Sequence, residues 1–304
     1  MEGERILVTG GAGFIGSNLA NRLVPNNDVI VVDDCSLGTA DNLSPDVEFH
    51  DRSVLDDALP TDVDVVFHLA ALSSYAMHET DPRRGVRVNV EGFVNVVEQA
   101  RRDGCDAVVY ASSSSVYGTR TDPAAEATTV SANTGYEASK LARERYGEYF
   151  SAHYDMSIAG LRLFSVYQGY GGAETHKGRY ANVIAQFAAD IADDRPPVVY
   201  GDGTQTRDFT HVSDAVRAIE LAGAHRLDGV YNVGTGDHHS FNEIVDLLNE
   251  TLGTDVAPEY VANPIPGSIY VHDTRADASK IGAATGWEAE IDIEAGIEAV
   301  CEPY

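Results

Sequence analysis

Lysine is almost missing from this chain. Three occur in 304 residues: Lys140, Lys177 and Lys280. Acidic residues outnumber basic ones 48 to 21, for a formal net charge of -27. So negative a surface argues against nucleic acid or an anionic membrane as partner. Acid excess with lysine depletion resembles the surface of a salt-adapted, halophilic protein. Cysteine is also scarce. Cys35, Cys105 and Cys301 are scattered, which excludes a disulfide framework, and no cysteine, histidine or carboxylate cluster has metal-ligand spacing. No metal is expected, and the setting is read as reducing and cytoplasmic. No apolar run approaches the ~20 residues that span a bilayer, and strand-like sequence begins almost at once, without a leader pattern.

What is present is a repeated strand–helix alternation. Arg5-Ile-Leu-Val-Thr9 reads as a buried strand, Gly10-Gly-Ala-Gly13-Phe14-Ile15-Gly16 as a turn, and Ser17–Val24 as a helix. That order suits dinucleotide binding: glycines let backbone amides approach a pyrophosphate, and the helix N-terminus adds its dipole. A plain tight turn is the competing reading. A second strand, Val29–Val32, ends in Asp33-Asp34, 17 residues past Gly16. An acid there suits ribose hydroxyls and repels a 2′-phosphate, which favours NAD over NADP. Asp34 is the more ordinary turn acid of the two. A third strand near Val47–His50 ends in Asp51-Arg52, and a fourth, Val63–Leu69, runs into Ala70-Ala71. Small residues at that exit let backbone pass close to a cofactor. His68 reads as a packed strand residue.

Gly92–Arg101 is an apolar-striped helix. Ala107–Tyr110 is a fifth strand that delivers Ser112, Ser113, Ser114 and Ser115, and Leu161–Phe164 is a sixth. The expected fold is α/β: a Rossmann-like doubly wound parallel sheet with a smaller C-terminal α/β substrate lobe. The expected division is 1–165 for the NAD-binding domain and 166–304 for the substrate lobe, with residues near 209–234 packing back on the first. In such sheets ligands sit beyond the strand C-termini. The glycine turn, Asp33, Ala70-Ala71, the serine run and Phe164-Ser165 all fall at that edge. Beyond them, Asn182–Asp190 and Phe241–Leu252 read as helices and Val198–Tyr200 as a short strand.

Tyr136 and Lys140 are four positions apart in Gly135-Tyr-Glu-Ala-Ser-Lys140, so they share a helix face. An ammonium there favours the phenolate and lets the tyrosine act as a base below its usual pKa of about 10. Alone the spacing is weak, because both residues are common on surfaces. It gains weight in a chain that otherwise avoids lysine.

Six segments occur in order: Thr9–Gly16, Tyr110–Gly118, Tyr136-x-x-x-Lys140, Leu161–Phe164, Gly201-Asp-Gly-Thr-Gln-Thr-Arg-Asp-Phe209 and Tyr231–Gly234. Together they resemble the extended short-chain dehydrogenase/reductase family of nucleotide-sugar epimerases and dehydratases, over nearly the whole chain, with UDP-glucose 4-epimerases as the nearest type. The resemblance implies bound NAD and a UDP-sugar substrate. Tyr136 would take the proton of the sugar 4-hydroxyl, Lys140 would hold the nicotinamide ribose, and Ser113 would bind the same oxygen, with Ser112 and Ser114 as fallbacks. It assigns Gly10, Gly13, Phe14, Ile15, Gly16, Asp33, Asp34, Asp51, Arg52, Leu69, Ala70, Ala71, Asn89, Tyr136, Lys140 and Phe164 to the cofactor. To substrate it assigns Ser113, Ser114, Ser165, Asn182, Val183, Val198, Tyr200 and Arg207. A homodimer through helices near Asn89–Arg101 and Glu137–Tyr154 is implied as well.

The chain departs from the pattern in four places. Ser165 stands where asparagine is usual. The lysine that some epimerases carry after strand four is replaced near Ser73. The late loop Asn263–Ser268 has no diphosphate-binding arginine, a role for which Arg275 is the remaining candidate. Ser114 and Ser115 stand where 4,6-dehydratases carry Asp-Glu and decarboxylases a glutamate. The last difference favours a C4 epimerase. A related dehydratase, reductase or dehydrogenase, or a non-catalytic NAD-binding regulatory protein, remains the alternative.

Overall fold

A computed structural model describes residues 1–304. Its first half alternates β1 (Arg5–Thr9), α1 (Phe14–Leu23), β2 (Asp28–Asp33), β3 (Glu48–Asp51) and β4 (Val65–His68). Two short helices follow, α2 (Tyr75–Thr80) and α3 (Pro82–Val86), then α4 (Gly92–Asp103), β5 (Ala107–Ala111), α5 (Gly135–His153) and β6 (Ser157–Leu163). The second half contains β7 (Val166–Tyr167), α6 (Val183–Ala192), β8 (Val198–Tyr200), β9 (Thr206–Arg207), β10 (Thr210–His211), α7 (Val212–Ala224) and β11 (Gly229–Val233). β12 (His239–Ser240), α8 (Phe241–Leu252), β13 (Glu259–Val261), α9 (Ser279–Thr285) and α10 (Ile293–Cys301) complete it.

Seven strands form one parallel sheet in the order β11-β6-β5-β4-β1-β2-β3. The order reverses between β1 and β4, which opens a crevice beyond their C-termini. Strand alternation sends residues to two separate cores. Ile6, Val8, Val29, Val31, Val65 and Phe67 join one face with α1 and α7. Leu7, Ile30, Val32, Val66 and Val108 join the other with Phe93 and Val97 of α4 and Phe150 of α5. A third core packs α6, α8 and α10 around Val199 and Phe209.

Several boundaries differ from the sequence pattern. β6 begins at Ser157, ahead of the expected Leu161, because Ile158, Ala159 and Gly160 are already buried against β5. Asn182 caps α6 rather than opening it: its side chain accepts from the Ile184 amide. The second half returns to the first core beyond 209–234. Ile281 and Trp287 join that core, and the Trp287 indole donates to the Asp214 carbonyl at 3.1 Å. No helix is long and apolar enough to cross a membrane.

Candidate active site

A cavity of about 480 Å³ lies at the switch point, within the size range usual for ligand sites. Its floor is the glycine turn. Gly10 has a φ of +70°, and a Cβ there would lie 2.5 Å from the Ala70 amide nitrogen. Backbone at the exits of β1 and β4 therefore meets closely only because Gly10 has no side chain. Gly13 caps α1 without a side-chain hydrogen bond, which leaves the first-turn amides open towards the cavity.

Gly13, Phe14, Ile15, Gly16, Asp33, Asp34, Arg52, Leu69, Ala70 and Ala71 line this space. Asp33 accepts from the Ala12 amide at 3.0 Å and the Cys35 amide at 2.9 Å. Burial pushes its carboxyl pKa up, and those two amides oppose the shift. Asp34 accepts from the Ser36 amide at 3.0 Å, as a turn acid does. Asp51 pairs in register with Asp33 at the tip of β3, is exposed and lies outside the cavity lining. Asn89 is buried and also outside it. Its amide grips the Leu72 amide and carbonyl, His78 and Ser139, so it fixes the loop after β4. Phe164 is buried against Tyr117 and Ala276.

At the other end stand Ser113, Ser114, Tyr136 and Lys140, all on the cavity wall. Thr134 caps α5 by accepting from the Glu137 amide, and this aims the first turn of the helix, with Tyr136, at the end of β5. The Lys140 ammonium lies 5.6 Å from the Tyr136 ring centroid and donates to the Ala111 carbonyl at 2.9 Å. Burial lowers the lysine pKa well below its usual value, with the Arg143 charge adding to the effect. Burial raises the Tyr136 phenol, while the Ser113 hydroxyl and Arg143 pull it down. Ser113 also caps the short turn Ser114–Tyr117 through the Ser115 amide. The Ser112 hydroxyl is committed elsewhere, donating to Glu144 at 2.6 Å.

Three charged residues behind this wall escaped sequence reasoning. Arg143 is 0% exposed and donates to the carbonyls of Asn89, Ala70 and Ala111. It therefore ties the exits of β4 and β5 to the segment before α4. Glu144 and Arg162 form a buried pair at 2.7 Å, each side chain 5% exposed, and Arg162 also donates to the Tyr117 hydroxyl at 2.8 Å. The signal for both was their place on the buried side of α5 and β6, which only the third dimension reveals.

Ser165 and Arg207, expected at the substrate, line the cavity. Ser165 has a φ of +28°, which turns the chain out of β6. Arg207 makes no ion pair with Asp208, whose carboxylate accepts from the Thr235, Gly236 and Ala276 amides. Its guanidinium donates to the Thr206, Val271 and His272 carbonyls and lies 5.6 Å from the Phe241 and Tyr270 rings. Arg275 donates to the Gly236 carbonyl and is not on the wall. Asn182, Val183, Val198 and Tyr200 lie outside the lining as well. Val271 and Thr274, from the late loop, are on it without having been expected there. So are His176 and Lys177.

The residues present fit NAD. They supply a glycine cradle with no room for a Cβ, open helix amides, an acid at the tip of β2 and a tyrosine–lysine pair within one space. The family model for the NAD dependent epimerase/dehydratase family matches residues 6–234. UDP-glucose 4-epimerase of Mycolicibacterium smegmatis is 34% identical over 312 residues, covering 98% of this chain and 97% of that protein. UDP-N-acetylglucosamine 4-epimerase of Methanobrevibacter ruminantium, solved with UDP-N-acetylmuramic acid, superposes with a TM-score of 0.92 at 27% identity, over 99% of this chain and 98% of the other. UDP-glucose 4-epimerase of Thermus thermophilus, solved with NAD, gives a TM-score of 0.87 at 30% identity, over 98% of each chain. From its glycine turn to its tyrosine–lysine pair, this chain belongs to the NAD dependent epimerase/dehydratase family, as an enzyme of nucleotide-sugar chemistry with NAD as its cofactor.

Proposed function

We propose that the protein interconverts the C4 epimers of a UDP-hexose, UDP-glucose and UDP-galactose being the leading pair, and so serves galactose metabolism. The observation that carries this reading is the serine wall facing Tyr136. The positions after Ser113 are Ser114 and Ser115, both on the cavity, and no carboxylate stands there to drive elimination or to handle a keto acid. Bound NAD supplies the acceptor for the C4 hydride and its donor on return. The chain's own residues handle the proton. The Tyr136 phenolate takes it from the 4-hydroxyl as C4 becomes a carbonyl, and returns it when the carbonyl is reduced on its other face. Ser113 hydrogen-bonds the same oxygen, and the buried Arg143 charge favours the phenolate. No net oxidation results, so the cofactor need not leave.

The α1 amides with Asp33, and Lys140, would hold the two ends of NAD. Arg207 would offer its charge to the substrate diphosphate. The same reading places the protein in the cytoplasm as a homodimer through α4 and α5, where Tyr146 and Tyr149 are exposed at 42% and 44%. Incubation with UDP-glucose tests the reaction type. UDP-galactose formed without net NADH supports the reading. A stable keto product or accumulated NADH sinks it.

A further inference from the structure

The family lysine missing near Ser73 leaves a question of charge. A dinucleotide brings a diphosphate into a chain whose formal charge is already -27. Lys177, one of only three lysines, lines the same cavity as Ser73 from a different element. It belongs to the short helical segment Thr175–Tyr180, and its ammonium lies 5.2 Å from the ring centroid of Phe14, the first residue of α1. Its one acidic neighbour, Glu174, is 4.0 Å away and fully buried. That carboxylate is already satisfied by the amides of Gln168 at 2.9 Å, Gly169 at 3.1 Å and Asn182 at 2.6 Å. Lys177 is therefore not needed to neutralise an orphan acid, and its charge is available to a ligand.

The segment around it is fastened to the cofactor half. Gln168 and Asn18 of α1 exchange two amide hydrogen bonds, each at 3.1 Å. His176 pairs with Asn42 at 3.1 Å. These contacts lay residues 168–180 across the N-terminal turn of α1, where open amides favour an anion.

We propose that Lys177 is a cofactor-binding residue: carried on a strap formed by residues 168–180, it supplies the cation for the NAD pyrophosphate that the loop after β4 does not. The inference rests on NAD occupying this cavity. The strap and the helix amides hold the diphosphate from two sides, and the cofactor stays bound through the hydride's return.

The test is NAD affinity and retention, not turnover alone. Wild type, Lys177→Gln and Lys177→Arg are stripped of nucleotide and titrated by calorimetry with NAD and, separately, with UDP. Thermal unfolding of the stripped proteins is recorded in parallel. Lys177→Gln is expected to raise the Kd for NAD about tenfold or more, as loss of a charge-assisted contact does. UDP affinity and unfolding temperature should change little, and Lys177→Arg should restore most of the NAD affinity. An unchanged Kd for NAD with a lowered unfolding temperature would make Lys177 a structural partner of Glu174 and overturn the proposal. A loss confined to UDP would assign the lysine to substrate and overturn it equally. If wild type itself fails to bind NAD, the cofactor assignment of the cavity fails first.

Discussion

At the residue scale the proposed chemistry depends on how Tyr136 is brought to give up a proton inside the fold. Burial works against the phenolate, and the Ser113 hydroxyl and the Arg143 charge work for it. Arg143 is the less obvious of the two, being buried, without an acidic partner and bonded only to carbonyls. In the proposed mechanism the reactive form of Tyr136 is the phenolate, so kcat/KM should rise with pH through the ionisation of that group. Removing the Arg143 charge raises the phenol pKa. The acid limb of the profile for Arg143→Met should therefore move to higher pH, and an unmoved limb would deny the arginine an electrostatic role. The same variant removes a donor from the Asn89 and Ala70 carbonyls, while Ala111 keeps Lys140, and should lose about 1–3 kcal/mol of stability, read from denaturant unfolding. Tyr136→Phe should cost about 10²–10⁴-fold in kcat, as loss of a general base does, with NAD content unchanged. Undiminished turnover would refute its assignment as the base.

Residues that act through local geometry were legible in the sequence. Gly10, Gly13 and Gly16 announce themselves because no other residue type serves such a turn, and the Tyr136–Lys140 spacing fixes a shared helix face. Arg143, Lys177 and Thr274 were not legible. Their roles depend on which distant carbonyl, ring or turn the chain folds against them. Asp51, Asn89, Asn182, Val198 and Tyr200 were named through resemblance, and the structure places all of them outside the cavity lining.

At the scale of elements, the site is a meeting of strand exits. β1 contributes the glycine turn, β2 Asp33, β4 the Ala70-Ala71 exit, β5 the serine wall and β6 Ser165. The unbroken apolar runs of β1, β2 and β4 fit strands buried on both faces, and the alternation of strands with helices foretold the doubly wound sheet. The beginning of β6 was harder to see, since Ala159 and Gly160 carry little apolar signal although both are interior. The contact between β1 and β4 is the tightest constraint. Gly10→Ala places a Cβ 2.5 Å from the Ala70 nitrogen at a φ of +70°. Left-handed strain alone costs about 1–2 kcal/mol, and relief of the clash must separate the two exits. The variant should unfold at lower denaturant and lose NAD binding. Wild-type NAD affinity in Gly10→Ala would show that the cradle tolerates a side chain.

At the scale of the molecule, the charge balance sets the conditions under which the fold holds. A formal charge of -27 repels itself most strongly at low ionic strength, and salt screens that repulsion. The unfolding temperature should therefore climb as potassium chloride is raised from dilute buffer into the molar range, and a flat dependence would remove the salt-adapted reading. Surface ion pairs such as Arg102–Glu98 and Arg145–Glu148 lose strength under the same screening. They are worth little individually, so relief of net repulsion is expected to dominate.

In the proposed reaction one hydride leaves C4 and the same hydride returns, with Tyr136 moving the proton. The most direct measurement is turnover of UDP-glucose carrying deuterium at C4, in ordinary water, with the product examined by proton NMR and mass spectrometry. The product should be UDP-galactose that keeps its deuterium at C4, with no hydrogen exchanged from solvent into the ring carbons. Label washed out of C4, or solvent hydrogen incorporated at C5, would contradict it.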